Sequence, residues 1–237
     1  MEKKSIVDYS KIFVVIPAFN EEQSIDKVIL DIPHVPRKNI VVVNNGSTDR
    51  TKEVVESTGA IALFEPRKGY GWACLKGCAY IERMQGETIV FMDGDYSDYP
   101  EQLPRVIAPV YEQNMDLVIG SRALGKREKG SMTVPQKFGN WLSSKLLKIF
   151  YKVNYTDLGP FRAIRFESYK KLGMSDKTYG WTIEMQIKAA QNNMNYCEVS
   201  VDYKARIGTS KVSGTIKGAV MAGIKIIFAV FKYKFSK

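Results

Sequence analysis

Apolar runs recur along the first half of the chain at intervals that suit alternating strands and helices. The first is Ile12–Ile16 (IFVVI), ended by Pro17, with Asn20 placed to cap a helix reaching about Asp31. A second strand, Ile40–Val43, leads through GSTD into a helix from Asp49 to about Thr58. Ala60–Phe64 and Thr88–Met92 are the third and fourth strands, with a helix between them from Gly69 to about Met84. Pro100 suits the first position of the next helix, where its missing N–H does no harm. Leu117–Gly120 is the fifth strand. Strands lacking clear in–out alternation, each followed by a helix, predict a mostly parallel sheet covered on both faces.

The second half is less regular. Asn140–Val153 reads as an amphipathic helix, Phe161–Phe166 as a short strand, Thr182–Gln191 as a helix and Tyr196–Val201 as a strand. Gly214–Lys232 reads as a last helix. The expectation is one α/β domain over residues 1–213 and a basic amphipathic helix over 214–237.

In parallel sheets ligands bind at the carboxyl ends of the strands. That rule collects NNGSTD, EPRKGYG, DGDYSD and GSR on one rim. The third of these loops carries Asp93, Asp95 and Asp98 directly after a buried strand. Asp, Gly and Ser also favour solvated turns. The alternative is a divalent-metal site, because carboxylates this close repel unless a counter-charge holds them ionised. KGYGWACLKG has the Gly69-x-Gly71 start of a dinucleotide fingerprint, but Cys74 stands where the third glycine belongs. A tight turn presenting N–H groups to a phosphate remains open there. Cys74 and Cys78 do not match close-spaced zinc motifs and read as reduced packing residues.

Charge changes the picture further. The formal net charge is +10, concentrated in two stretches. After Asp202 eight basic residues follow and no acidic one. From Lys126 to Lys152 seven basic residues face only Glu128, so the remainder of the chain is net −4. Lys145, Lys148 and Lys152 share one arc of a helix, as do Lys217, Lys225 and Lys232. Such helices suit either an anionic membrane surface or ordinary packing with solvated lysines. No common nucleic-acid signature is present. The N-terminus does not read as a signal peptide, and the C-terminal apolar runs are too short to span a bilayer.

The ordered set IPAFNEE, NNGSTDRT, Gly69, Asp93-Gly94-Asp95 and GSR resembles the family 2 inverting glycosyltransferases of GT-A fold, over residues 12 to about 213. Within these it is most similar to polyprenyl-phosphate (dolichol-phosphate-type) sugar transferases. The resemblance implies that Pro17, Asn20, Glu21, Asn45 and Gly69 serve a nucleotide-sugar donor. It implies that Asp93 and Asp95 hold Mg²⁺ or Mn²⁺, with Ser97 or Asp98 as a further ligand. Arg122 matches a phosphate-contacting arginine, with Lys126, Arg127 and Arg162 as further acceptor-phosphate candidates. Asp157 of TDLGPFRAIR and Glu184 of GWTIEMQ are catalytic candidates.

The implied acceptor is a lipid phosphate at the cytoplasmic face of a membrane. A glycan or small soluble acceptor is the alternative, and a non-catalytic nucleotide-sugar-binding protein is the alternative of another class. One departure concerns the donor. Asn44 and Asn45 replace the family's usual pair of aspartates, and an amide suits the mixed donor–acceptor edge of uracil better than that of guanine. A UDP-sugar is therefore expected over GDP-mannose.

Overall fold

The structure, a computed structural model, describes residues 7–208 and the backbone of 216–235, with side chains in that last helix described at 223 and 226–235. A seven-stranded sheet is formed by β1 (Ile12–Ala18), β2 (Ile40–Asn44), β3 (Ile61–Phe64), β4 (Thr88–Phe91), β5 (Leu117–Ser121), β6 (Arg162–Arg165) and β7 (Tyr196–Ser200). Its order is β3-β2-β1-β4-β6-β5-β7. All neighbours are parallel except at β6, which is antiparallel to both β4 and β5. The first five predicted strands are present within a residue or two of their expected bounds. The reversal at β6 was not legible in its sequence.

Successive residues of each central strand feed opposite cores, as the period of two requires. Phe13, Val15, Val41, Val43, Ile89 and Phe91 face one side, packed by α3 (Tyr70–Arg83), α5 (Val134–Tyr151), α6 (Phe166–Leu172) and α7 (Trp181–Gln191). Ile12, Val14, Ile40, Val42 and Val90 face the other, under α1 (Ile25–Asp31), α2 (Thr51–Ser57) and α4 (Leu103–Glu112). Cys74 and Cys78 are buried free thiols of the first core, and burial pushes both pKa values up.

Two local expectations need correction. Asn20 does not cap α1, which begins at Ile25 after a turn in which the Ser24 N–H donates to the Glu21 carbonyl. Asn20 takes a left-handed φ of 56°, and its Oδ1 accepts from the Thr48 N–H at 2.8 Å, joining the first two rim loops. Helix α5 starts at Val134 rather than Asn140, because Thr133 and Gln136 form a reciprocal capping box. Helix α6 follows β6 without a break and ends at left-handed Gly173.

The final helix, α8 (Ile216–Phe235), lies against α5 and α7. Ala229 and Val230 are buried in the first core, the Tyr151 hydroxyl donates to the Val230 carbonyl at 2.7 Å, and Phe150 meets Phe231 edge-on. Its described C-terminal part thus packs on the domain. The side chains of Lys217 and Lys225 lie outside the described residues, as do Lys211 and Lys237.

Candidate active site

The carboxyl ends of β1, β2, β4 and β5, with the chain leaving β7, surround a cavity of about 500 Å³. Pro17, Glu21, Asn45, Asp93, Asp95 and Arg122 line it on the rim side, and Met132, Pro135, Gln136, Gly139, Asn140, Leu158 and Ile226 line it toward α5 and α8. The expected rim loops therefore do converge, and the cavity continues from them to α5 and α8.

Strand β4 delivers the carboxylates to the cavity. Burial raises the Asp93 pKa to about 7, and the neighbouring Asp95 charge adds to the rise while Arg206 and Arg122 oppose it. Asp95 is 4% exposed. Its Oδ1 accepts from the Ser97 N–H at 3.0 Å and hydroxyl at 2.5 Å, and its Oδ2 pairs with Arg206 Nη1 at 2.9 Å. Asp98 is buried behind them, neither carboxyl oxygen makes a hydrogen bond of ordinary geometry, and burial pushes its pKa well up.

Two like charges at the head of a cavity fit a hard divalent cation, whose charge would relieve their repulsion. Among the described residues no group of three or more acidic, histidine or cysteine side chains forms a cage. A pair of carboxylates is nonetheless the usual protein share of a Mg²⁺ site that also binds substrate phosphates. Ser97 supports Asp95 through its hydroxyl, and Asp98 is not among the residues lining the cavity.

Arg122 lines the cavity with its guanidinium held by Asp157. Nε meets Oδ2 at 2.8 Å, Nη2 meets Oδ1 at 2.7 Å, and the Arg122 N–H donates to Oδ2 at 2.7 Å. Burial opposes the charged form of Arg122, but the Asp157 carboxylate outweighs it and raises the pKa. Asp157 is 1% exposed and fully engaged, so it positions Arg122 rather than exchanging protons with a substrate.

Arg162 and Glu184 are buried outside the cavity lining. Arg162 is completely buried, and its guanidinium donates to the Leu158, Gly159 and Thr182 carbonyls at 2.5–3.1 Å. It ties α7 to the loop before β6 and has no face for an acceptor phosphate. Burial lowers its pKa to about 10. Glu184 is equally buried. It accepts from the Ser175 N–H and hydroxyl, the Asp176 N–H and the Tyr233 hydroxyl, and it pairs with Lys188 at 2.8 Å. It fastens α8 to α7 and is not among the residues lining the cavity. Nothing in TDLGPFRAIR or GWTIEMQ showed that these two side chains would be buried and bonded within the fold.

Asn45 lines the cavity, but its amide is committed elsewhere. Nδ2 donates to the Glu65 and Arg67 carbonyls, and Oδ1 accepts from the Gly69 N–H at 2.8 Å. Asn44 Oδ1 accepts from the Ser47 N–H. The amides therefore shape the loops, and the uracil argument does not follow from them. The Gly69 N–H is likewise spent. Gly69 and Gly71 are required because a Cβ at either would overlap the backbone of Asp176 and Lys177. Close packing, not a phosphate cradle, explains the glycine pair.

Lys126 and Arg127 are exposed and lie outside the cavity lining; their backbone pairs with Tyr203. The residues missed from sequence are Arg206, Tyr203 and Lys68, which line the cavity, and Tyr203 lies under the Arg122 guanidinium at 4.9 Å. One signal was available: β7 runs parallel to β5, so the chain leaving β7 must emerge on the same rim.

At the far end, α5 leaves Val134, Phe138, Trp141 and Ile149 exposed, and α8 leaves Phe228 and Phe235 exposed. Phe138, Trp141, Lys145, Lys148 and Lys152 recur every three or four residues and so share one helix face. Among the described residues no helix is long and apolar enough to cross a membrane.

Comparison with known proteins agrees with this architecture. Over about 94% of this chain and 80% of the other, the fold superposes on glucosyl-3-phosphoglycerate synthase from Mycobacterium tuberculosis, crystallised with Mn²⁺, UDP and glucosyl-3-phosphoglycerate, with a TM-score of 0.74 at 20% identity. The undecaprenyl-phosphate mannosyltransferase of Micrococcus luteus is 27% identical over 226 residues, 90% of this chain and 92% of its own. The UDP-N-acetylglucosamine–dolichyl-phosphate N-acetylglucosaminyltransferase of Methanococcus voltae is 26% identical over 253 residues, 95% of this chain and 97% of its own. The family model described as "Glycosyl transferase family 2" matches residues 13–173, from the first strand past the last rim carboxylate. The chain is a glycosyltransferase of family 2, with its GT-A-type sheet bringing Asp93, Asp95 and Arg122 to one cavity.

Proposed function

We propose that this glycosyltransferase moves a sugar from a nucleotide sugar to a polyprenyl phosphate at the cytoplasmic face of a membrane, with inversion and with Mg²⁺ or Mn²⁺. The observation that carries this reading is the continuity of the cavity. One end is polar and carries Asp93, Asp95 and Arg122, and the other lies between α5 and α8, where Met132, Pro135, Leu158 and Ile226 outnumber the polar Gln136 and Asn140. A polyprenyl phosphate has the same division, with a dianionic head and a hydrocarbon tail.

Asp93 and Asp95 would hold the cation, which acts as a Lewis acid toward the departing nucleoside diphosphate. Arg122, kept planar and oriented by Asp157, offers its guanidinium to the acceptor phosphate. The two catalytic candidates among the carboxylates, Asp157 and Glu184, are both buried and engaged. A hydroxyl acceptor needs a general base. An ionised phosphate does not: its oxygen bonds the anomeric carbon as the bond to the nucleoside diphosphate breaks, and no proton moves. The lysines and exposed aromatics of α5 and α8 suit an anionic bilayer surface, where they would hold the apolar end of the cavity toward the lipid. We favour a UDP-sugar donor, supported by the UDP named for the Methanococcus voltae relative.

The test is nucleotide release across UDP- and GDP-sugars, with and without a short polyprenyl phosphate, before and after EDTA. Release that needs both lipid phosphate and metal is the expected result. An equal rate without lipid would transfer the reading to a soluble acceptor, and faster release from GDP-mannose would overturn the donor assignment.

A further inference from the structure

Asp95 has no uncommitted oxygen. Oδ1 is held by the backbone and hydroxyl of Ser97, and Oδ2 by the Arg206 guanidinium at 2.9 Å. A divalent ion binds carboxylate oxygens at roughly 2.0–2.6 Å. A guanidinium on the same oxygen would then sit within a few ångströms of the ion, in a partly buried site where like charges repel strongly. The metal and Arg206 are therefore alternative partners of Asp95.

Arg206 is built to let go. The segment that carries it is pinned by backbone: Tyr203 N–H to the Lys126 carbonyl, Lys204 N–H to Ser97 and Ile207 N–H to Asp95, each at 2.9 Å. The Ala205 N–H adds a bond to Glu128 Oε2 at 2.9 Å. The Arg206 side chain, by contrast, is 25% exposed and lines the cavity, so it can change partner by rotating about its own stem. Arg122, the other cation there, is engaged through Nε and Nη2 by Asp157 rather than by Asp95. A diphosphate entering the cavity offers Arg206 an anion that its planar fork fits better than a single carboxylate oxygen.

We propose that Arg206 is an internal cation occupying the metal-facing oxygen of Asp95, and that a nucleotide diphosphate draws it away and admits the divalent ion. Metal and nucleotide then bind with positive coupling that exceeds their direct contact, and the coupling is reciprocal. The inference rests on Asp93 and Asp95 being the metal pair.

Its test is Mn²⁺ binding followed by EPR, on the full chain, without and with UDP. Arg206→Gln removes the competitor. In the absence of nucleotide this variant is expected to bind Mn²⁺ about tenfold more tightly than the wild type, within the usual range of coupling between sites. The gain in Mn²⁺ affinity on adding UDP is expected to shrink by a similar factor. A residue that merely supports the fold would weaken Mn²⁺ binding on removal, and a residue that acts only on the nucleotide would leave it unchanged. Either result, with an unaltered thermal melt, overturns the proposal. Should Arg206→Gln not fold, Arg206→Met keeps the aliphatic stem and gives the same reading. Asp95→Asn separates the two levels of inference. If it binds Mn²⁺ as the wild type does, the assignment of the metal pair itself has failed.

Discussion

The two ends of the cavity are built on opposite plans. At the polar end most side chains have little freedom: Arg122 is forked onto Asp157, Asn45 is bonded to three backbone groups, and Gly69 has no room for a methyl. At the apolar end, Gly139 and Gly223 have no described atom within 4 Å of where a Cβ would stand. Groups that must meet charge at fixed distances need preorganisation. A hydrocarbon tail needs only shape tolerance and dryness. Substitutions should therefore be expensive at one end and cheap at the other.

The largest effect should come from Asp157→Ala. It leaves the buried Arg122 charge uncompensated, which costs about 3–5 kcal/mol and is read from urea unfolding. Replacing the pair together, Arg122→Met with Asp157→Leu, should recover most of that stability but not transferase activity. Next comes a matched pair of glycines. Gly69→Ala must displace the Lys177 carbonyl and should destabilise by about 1–3 kcal/mol. Gly139→Ala, inside α5 with open space around it, should stabilise by about 0.5–1 kcal/mol. Equal effects from the two would dissolve the comparison.

A smaller effect concerns the outer face of the apolar end. Lys145→Ala and Lys148→Ala should each weaken co-sedimentation with phosphatidylserine vesicles by about 1 kcal/mol, and not with neutral ones. The smallest is a pH effect on the attachment of α8. Burial alone would raise the Glu184 pKa, but the bonds from Lys188, Ser175, Tyr233 and Asp176 outweigh it and lower the value below its ordinary 4.5. The folded state thus binds fewer protons there, so this contribution is present above pH 4.5 and is lost as pH falls through the lower folded value. The thermal midpoint should drop in that acid window, and Glu184→Gln should flatten the drop.

Legibility followed the same division. Strands β1, β2 and β4 announce themselves by unbroken β-branched runs, and the parallel-sheet rule then puts Asp93, Asn45 and Arg122 on one rim without further help. The direction of β6 was not readable, because RAIR has no feature that says which way it runs. The surroundings of Arg162 and Glu184 were unreadable for a related reason. Each sits in a segment of ordinary polarity, and only the fold buries it among the carbonyls and donors it bonds. Arg206 was counted with the basic tail, although the emergence of β7 on the rim would have singled it out.

The reversed strand has a consequence for the order in which the protein comes together. β6 is sixth along the chain but fifth across the sheet, the sole described link between β4 and β5. A nascent chain that has not yet produced Arg162–Arg165 can assemble the block β3-β2-β1-β4, but it has no seam to which β5 can be joined. It also cannot fix Arg122, whose anchor Asp157 precedes β6 by only a short loop. Closing that seam late, over a long stretch of intervening chain, makes it a natural place for the folding barrier. Synthesis thus completes the half that bears the carboxylates first, and the catalytic cleft comes into being only when the middle of the sheet is filled.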